Sequence, residues 1–221
     1  MKIGIKGILF DMDGVLVSSI GSVERSWTKW ALEVGLDPVE AIENAHGRRS
    51  IDSVRAMRPD LDAEAENQKI EDWETEDREG VEQLAGVGAL IAQLPPSAWT
   101  IVTSATKRLA TARLEAAGIT PPARFITADV VAKGKPDPEP YRKGAELLGF
   151  DAGDCLVIED AVSGATAGRA AGCKVLATTL SHSIESLDAA DWVVETLEGI
   201  RVTVLEGNQG LELEFQPLLR P

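Results

Sequence analysis

The chain has 221 residues, 44% of them hydrophobic, so it is long enough to bury a substantial core and to fold as a main domain with a smaller insert. Its formal net charge of −14 argues against nucleic acid as a partner, because phosphate backbones are bound by basic surfaces. No apolar run approaches the roughly 18 residues that a membrane helix needs, and residues 1–10 lack the features of a secretory signal, so we expect a cytoplasmic protein.

A long segment without strand patterns follows the first predicted strand, residues 5–10. Helices are predicted instead over residues 22–35, 50–57 and 62–84, with breaks at Asp-Pro, His-Gly and Arg-Pro pairs. We therefore expect a helical insert, without strands from about residue 20 to about residue 86, placed directly after the first strand.

Several conspicuous side chains are interpreted as structural. Trp27 and Trp30 have helical spacing and are expected to pack within the insert. The many acids between Asp60 and Glu82 predict a solvated helix face. His182 follows a predicted strand and is interpreted as an ordinary loop residue.

Short apolar runs alternate with helical patterns in the rest of the chain. The expected strands are residues 99–103, 155–158, 175–177 and 192–194, and the expected helices are residues 106–118, 138–149 and 163–172. This alternation favours an α/β fold with a parallel sheet covered on both faces, in which chemistry gathers at the carboxyl ends of the strands. Residues 201–215 alternate apolar and polar residues around a glycine-containing turn, which predicts a C-terminal β-hairpin.

Two pairs of acids follow predicted strands. Asp11 and Asp13 come after the first strand, and Glu159 and Asp160 come after residues 155–158. If both strands are central and parallel, the two pairs meet at one edge of the sheet and repel one another. A divalent cation would relieve this repulsion, and Mg²⁺ prefers such oxygen ligands.

Groups that suit a phosphate follow other strands. Lys133 and Lys135 lie in a loop stiffened by two prolines, which presents an ammonium inward. Thr103 and Ser104 supply hydroxyls at another strand end, next to the free N–H groups of a helix start. An acidic protein can therefore still bind a small anion in one cleft.

The sequence resembles the haloacid dehalogenase-like (HAD) phosphatases. The segments DMDGV, VTSA, KGKPDP and IEDAVSG resemble the four motifs of this family, in the right order. HGRRSIDSV, FITADVVAKGKPDPEPYRKGAELLGF and IRVTVLEGNQGLELEF resemble the branch that contains glycerol-1-phosphatases and 2-deoxyglucose-6-phosphate phosphatases. The chain is also similar to β-phosphoglucomutases. The resemblance implies a Rossmann-like core, residues 1–17 and 87–221, with a small α-helical cap domain, residues 18–86, as in subfamily I.

The resemblance also implies roles for individual residues. Asp11 is the expected nucleophile, and Asp13 the general acid and base. Lys135 and Ser104 are expected to complete the catalytic set by fixing the transferring oxygens, and Thr103 is the alternative hydroxyl. The other expected substrate-binding residues are Ala105, beside that hydroxyl, and His46, Gly47 and Arg48, at a break between cap helices. The expected Mg²⁺ ligands are Asp11, Asp13 through its main-chain carbonyl, and Asp160, with Glu159 nearby.

The function implied is a Mg²⁺-dependent phosphatase for a small sugar or polyol phosphate, without an indicated protein partner. Asp13 separates this chemistry from dehalogenation, which needs no leaving-group acid. An alternative is a phosphomutase of the β-phosphoglucomutase type, but such mutases carry a histidine where this chain has Val23 and commonly an aspartate where it has Ser18. A remote alternative is a catalytically silent phosphate-binding module, against which the presence of both Asp11 and Asp13 argues.

Overall fold

The computed structural model describes residues 1–205 and 210–219. In chain order the strands are β1 (Lys2–Ile5), β2 (Gly7–Phe10), β3 (Val17–Ser18), β4 (Glu82–Gln83), β5 (Trp99–Ile101), β6 (Cys155–Glu159), β7 (Lys174–Thr178), β8 (Trp192–Val194), β9 (Arg201–Val204) and β10 (Leu211–Glu214). The α-helices are α1 (Ile20–Val34), α2 (Pro38–Ala45), α3 (Ser50–Met57), α4 (Ala63–Glu76), α5 (Val87–Ile91), α6 (Lys107–Ala116), α7 (Glu139–Leu148) and α8 (Val162–Ala171). Short 3₁₀ turns lie at Pro96–Ala98, Ala128–Val130, Ala152–Asp154 and Ile184–Ser186.

A parallel sheet forms the centre of the molecule, in the order β5-β2-β6-β7-β8 within the described residues. All residues of β2, β5 and β6 are buried, as expected for continuous apolar strands that are covered on both faces. Each predicted core strand overlaps an observed one, and the predicted helices correspond to α6, α7 and α8. The α/β prediction is therefore confirmed.

Helices cover the two faces of this sheet. Leu109 and Leu114 of α6 belong to one apolar cluster with Phe10 and Ile158. On the other face, residues of α7 and α8, including Tyr141, belong to a second cluster. A Cβ at Gly144 of α7 would press against Val102 and Leu9, so a glycine lets this helix lie close to the sheet.

The predicted C-terminal hairpin belongs to a separate antiparallel sheet, ordered β1-β10-β9. Leu211 and Leu213 are buried and pair with Ile5 and Ile3 of β1. The sequence analysis missed β1, because the buried run of β2 was treated as one strand with Ile5; the apolar-polar alternation of β1 was the available signal. The predicted turn of the hairpin includes residues 206–209, which lie outside the described residues.

Helices α1 to α4 pack around an apolar cluster of their own. Trp27 and Trp30 are at its centre, with ring centroids 5.4 Å apart in an edge-to-face arrangement, so their interpretation as packing residues is confirmed. We expected the insert to contain no strands, and this expectation is wrong. Its residues Glu82–Gln83 form β4, which pairs with β3 through Gln83 and Val17. The helix predicted to residue 84 ends at Glu76, and Gly80 then adopts a positive φ of 73° that turns the chain.

The acids of α4 do not form a purely solvated face. Glu66, Glu71 and Glu74 are buried, and Glu66 and Glu74 are each four residues from the buried Ile70. The indole N–H of Trp30 donates to Glu66 at 3.1 Å, Thr106, just before α6, donates to Glu71, and Arg113 of α6 lies 3.3 Å from Glu74. The composition of this segment suggested solvation, but the partners come from distant positions in the chain.

Among the described residues, no helix is both long and apolar enough to span a bilayer.

The core of the insert is open to a direct stability test. Trp30→Ala removes a fully buried ring and a hydrogen bond to Glu66, and we expect the free energy of unfolding to fall by about 3–5 kcal/mol. Leu32→Ala, in the same helix but 67% exposed, should change it by less than about 0.5 kcal/mol. Urea unfolding of both variants measures the difference, and equal values would contradict this packing.

Candidate active site

Three carboxylates meet at the carboxyl ends of β2 and β6. Asp11 follows β2 directly, and its N–H donates to the carbonyl of Ile158 in β6 at 2.9 Å. Glu159 is the last residue of β6, and Asp160 follows it. Because β2 and β6 are adjacent and parallel, one oxygen from each of Asp11, Glu159 and Asp160 lies within 4.8 Å of the others.

Lys135 places its ammonium inside this cluster. Its Nζ donates to Oδ1 of Asp11 at 2.8 Å and to Oε1 of Glu159 at 2.7 Å, and its side chain is 1% exposed. The hydroxyl of Tyr141 also donates to Oε1 of Glu159, at 2.6 Å. The N–H groups of Asp160 and Ala161 donate to Oε2 of the same carboxylate, so Glu159 is held on all sides and is fully buried.

The charges of the cluster do not balance. Burial raises the pKa of Asp11 to about 7, against the opposing effect of the Lys135 ammonium. Burial, reinforced by the charge of Glu159, also raises the pKa of Asp160. Burial lowers the pKa of Lys135, but the carboxylates of Asp11 and Glu159 outweigh it and hold that pKa above the usual value. A divalent cation would offset the remaining negative charge, and this oxygen-rich donor set fits one.

Two glycines allow the backbone to close on the carboxylates. Gly14 has a φ of 78°, and a Cβ at this position would overlap the carboxylate of Asp160. A Cβ at Gly164 in α8 would overlap the carboxylate of Glu159. The tight packing around both acids therefore depends on residues without a side chain.

Asp13 makes a separate set of contacts. Ser19 donates to its Oδ1 at 2.6 Å, and Nη1 of Arg113 lies 2.9 Å from its Oδ2. Arg113 belongs to α6, and its Nη2 lies 3.3 Å from Oε2 of Glu74 in α4. Burial raises the pKa of Glu74 to about 7, against the opposing effect of Arg113. Arg113 therefore bridges Asp13 and Glu74, and it links Asp13 to the helical insert through Glu74.

The sequence analysis did not identify Arg113 or Glu74. Arg113 is four residues after Leu109 and one before Leu114, both buried, so it is a charge on the apolar stripe of α6. That position was the available signal. Glu74 lies four residues after Ile70 on α4 and gave a similar signal, which the many neighbouring acids obscured.

The loop after β5 contributes hydroxyls, as expected. Ser104 donates to the carbonyl of Gly47 at 3.3 Å, while the hydroxyl of Thr103 accepts from the N–H of Ala105 at 3.1 Å. Ser163 of α8 also donates to the carbonyl of Gly47, at 3.0 Å. The turn between α2 and α3 is therefore held against the core at two points.

A cavity of about 90 Å³ lies between these loops and the insert. Of the site residues predicted from the sequence, it is lined by Asp11, Asp13, His46, Gly47, Arg48, Thr103, Ser104, Ala105 and Asp160. Lys135 and Glu159 do not line the cavity. Lys135 donates to Asp11, which does line it, and also to Glu159. Arg49, next to the predicted set, points elsewhere and pairs with Asp52 at 2.7 Å.

His182 is more than an ordinary loop residue. Its Nδ1 lies 3.1 Å from the carbonyl of Asp160, and its ring centroid is 6.4 Å from that of His46. Ser181, beside it, donates to Oδ2 of Asp160. Burial, and after it the proximity of His182, lowers the pKa of His46. A position near the cleft was the less favoured interpretation of His182, because this contact depends on the path of the loop after β7.

Comparison with known proteins identifies the family. The model of the haloacid dehalogenase-like hydrolases matches residues 5–172. The chain belongs to this family. Within the family, it is 41% identical to hexitol phosphatase A of Escherichia coli over 90% of this chain and 94% of that protein. It is 32% identical to glycerol-1-phosphate phosphohydrolase 2 of Saccharomyces cerevisiae, over 91% of this chain and 86% of the relative.

A solved structure has the same fold. β-Phosphoglucomutase from Clostridium difficile superposes with a TM-score of 0.72 at 23% identity, over 87% of this chain and 92% of that one. At this identity the likeness shows the fold alone. The predicted membership of the HAD-like phosphatases, and the resemblance to their glycerol-1-phosphatase branch, are confirmed by the family match and the curated relatives.

Removing the Lys135 ammonium should destabilise the protein strongly. Lys135→Met leaves Asp11 and Glu159 without their shared cation, and we expect a loss of about 3–5 kcal/mol in the free energy of unfolding. Lys133→Met is the matched control, because that side chain is 75% exposed, and it should change the value by less than about 0.5 kcal/mol. Urea unfolding in EDTA tests this prediction, which fails if the two variants lose the same amount.

Proposed function

We propose that this protein is a Mg²⁺-dependent phosphatase that hydrolyses a small sugar or polyol phosphate monoester through an aspartyl-phosphate intermediate. The observation that carries the proposal is the shared cavity of Asp11 and Asp13, with Asp11 held by Lys135. The two carboxylates have different partners, so they are suited to different roles.

In the first step, a carboxylate oxygen of Asp11 attacks phosphorus while the bond from phosphorus to the ester oxygen breaks. Lys135 donates to Oδ1, so Oδ2 is the oxygen that attacks. Asp13 gives a proton to the departing alkoxide. In the second step, water attacks the phosphorus, Asp13 takes a proton from that water, and the bond to Asp11 breaks.

The phosphate oxygens are bound by groups around Asp11. Ser104, with Thr103 as the alternative, supplies a hydroxyl, and Ala105 lines the cavity beside them. The ammonium of Lys135 adds positive charge from behind Asp11. Together these donors stabilise the negative charge that develops on the transferred group.

Asp11, the main-chain carbonyl of Asp13 and Asp160 would hold the Mg²⁺. Glu159 is close, but its oxygens are already used by Lys135, Tyr141 and two N–H groups, which supports a role in holding Lys135. Mg²⁺ bound here supplies charge neutralisation between nucleophile and phosphate.

The substrate class is inferred from the relatives and from the insert. The similar proteins named above are phosphatases of hexitol and glycerol phosphates. His46, Gly47 and Arg48 of the insert line the same cavity as Asp11, and an imidazole and a guanidinium suit hydroxyl or phosphate oxygens.

A phosphomutase is the second candidate, since it uses the same fold. The position where such mutases carry a histidine is Val23, whose side chain lies at the cavity and cannot move a proton. Ser18, the other departure, also favours hydrolysis. A silent module is disfavoured, because Asp11 and Asp13 both line the cavity.

The nucleophile is tested by one substitution. Asp11→Asn should lower kcat by at least about 10⁴-fold, because the attacking charge is lost. The variant should remain folded and should show a cooperative unfolding transition in urea. Asp188→Asn, at an exposed acid that does not line the cavity, should keep full activity. Phosphate release and urea unfolding of both variants are the measurements, and substantial turnover by Asp11→Asn would remove Asp11 as nucleophile.

The reaction type and the metal are tested by a substrate panel. We expect phosphate release from one or two sugar or polyol phosphates in Mg²⁺, and at least about a 100-fold loss of rate in EDTA. Nucleotides should be poor substrates. A parallel assay with β-glucose 1-phosphate distinguishes the alternatives: isomerisation without net phosphate release would establish the mutase instead.

A further inference from the structure

We propose that Arg113 and Glu74 bind a hydroxyl group of the leaving group, on the carbon next to the esterified carbon. The inference rests on the proposed phosphatase function and deepens it, because it names the feature that a substrate must carry. Both residues line the cavity that contains Asp11 and Asp13.

Arg113 has unused hydrogen-bond donors in a buried position. The residue is 5% exposed, and only its Nη1 makes a hydrogen-bonding ion pair, with Asp13. Its Nε and Nη2 are buried without a hydrogen-bond partner among the described residues, although Nη2 lies 3.3 Å from Glu74. Buried donors without acceptors are unfavourable, so an acceptor is expected to come from a ligand in the cavity.

The position of Arg113 indicates which part of a substrate would supply this acceptor. Asp13 gives its proton to the ester oxygen, so that oxygen must come within hydrogen-bond distance of the Asp13 carboxylate. Arg113 contacts the same carboxylate, through Oδ2. In this proposal the next carbon of the leaving group, with an oxygen on it, comes beside the Nε and Nη2 donors of Arg113, which lines the same cavity.

A hydroxyl suits the pair better than other groups. It accepts from the guanidinium of Arg113 and donates to the carboxylate of Glu74, so it satisfies both residues together. A hydrocarbon or aryl group would leave the buried Nε of Arg113 without an acceptor. A second phosphate would meet the carboxylates of Asp13 and Glu74, which repel it, and this also disfavours a mutase acting on a bisphosphate.

A pair of matched substrates tests the proposal. Glycerol 1-phosphate and 3-hydroxypropyl phosphate differ only by the central hydroxyl, and both need Asp13. The wild-type protein should prefer glycerol 1-phosphate by at least about 100-fold in kcat/KM. Arg113→Met and Glu74→Met should each bring this ratio down by at least about tenfold. Glu74→Gln keeps an acceptor oxygen and should retain most of the preference.

The control is Arg108→Met in the same helix, since Arg108 pairs with Asp72 on the surface and does not line the cavity. Its ratio should equal that of the wild-type protein. If a substitution acted only by displacing the Asp13 carboxylate, it would lower kcat/KM for both substrates and leave their ratio unchanged. A wild-type ratio near one, or an unchanged ratio in both methionine variants, overturns the proposal.

Binding provides a readout that does not depend on turnover. Calorimetric titration of the inactive Asp11→Asn variant with the two esters should show the same preference, and Glu74→Met added to that variant should remove it. If no ester releases phosphate, the proposed function fails, and the binding ratio still decides the role of Arg113 and Glu74. Equal affinity for both esters would then overturn it.

Discussion

The active site depends on one buried ammonium. Lys135 lies between Asp11 and Glu159, and it is the cation that permits their carboxylates to share a dry sheet edge. Tyr141 and two backbone N–H groups complete the coordination of Glu159, so this acid acts as a fixed support for Lys135. The negative charge that Lys135 does not offset favours a divalent cation at Asp11, Glu159 and Asp160.

The cavity is formed where two separately packed units meet through polar contacts. The insert has its own apolar cluster around Trp30, and the sheet has two others. Between them, Ser104 and Ser163 hold Gly47, and Thr106 donates to Glu71 at 2.5 Å. Of these residues, Gly47 and Ser104 also line the cavity.

The sequence was sufficient to predict the parts of the molecule that follow local rules. The apolar runs that end in Asp11 and Glu159 predicted both the central strands and the meeting of their acids. Features that depend on distant partners were missed, among them the pairing of β1 with β10, the pairing of β3 with β4, and the contact of Arg113 with Glu74. The burial of Glu71 is of the same kind, since Thr106 is remote in sequence. Composition describes a segment by itself, whereas these contacts are properties of the packed chain.

The covalent route through Asp11 is the central claim, and the stereochemical course at phosphorus tests it most directly. A substrate whose phosphate is made chiral with three oxygen isotopes is hydrolysed, and the configuration of the product is determined. Two successive displacements, first by Asp11 and then by a second acceptor, predict overall retention of configuration. Inversion would show that water attacks the ester directly, and it would contradict the role given to Asp11.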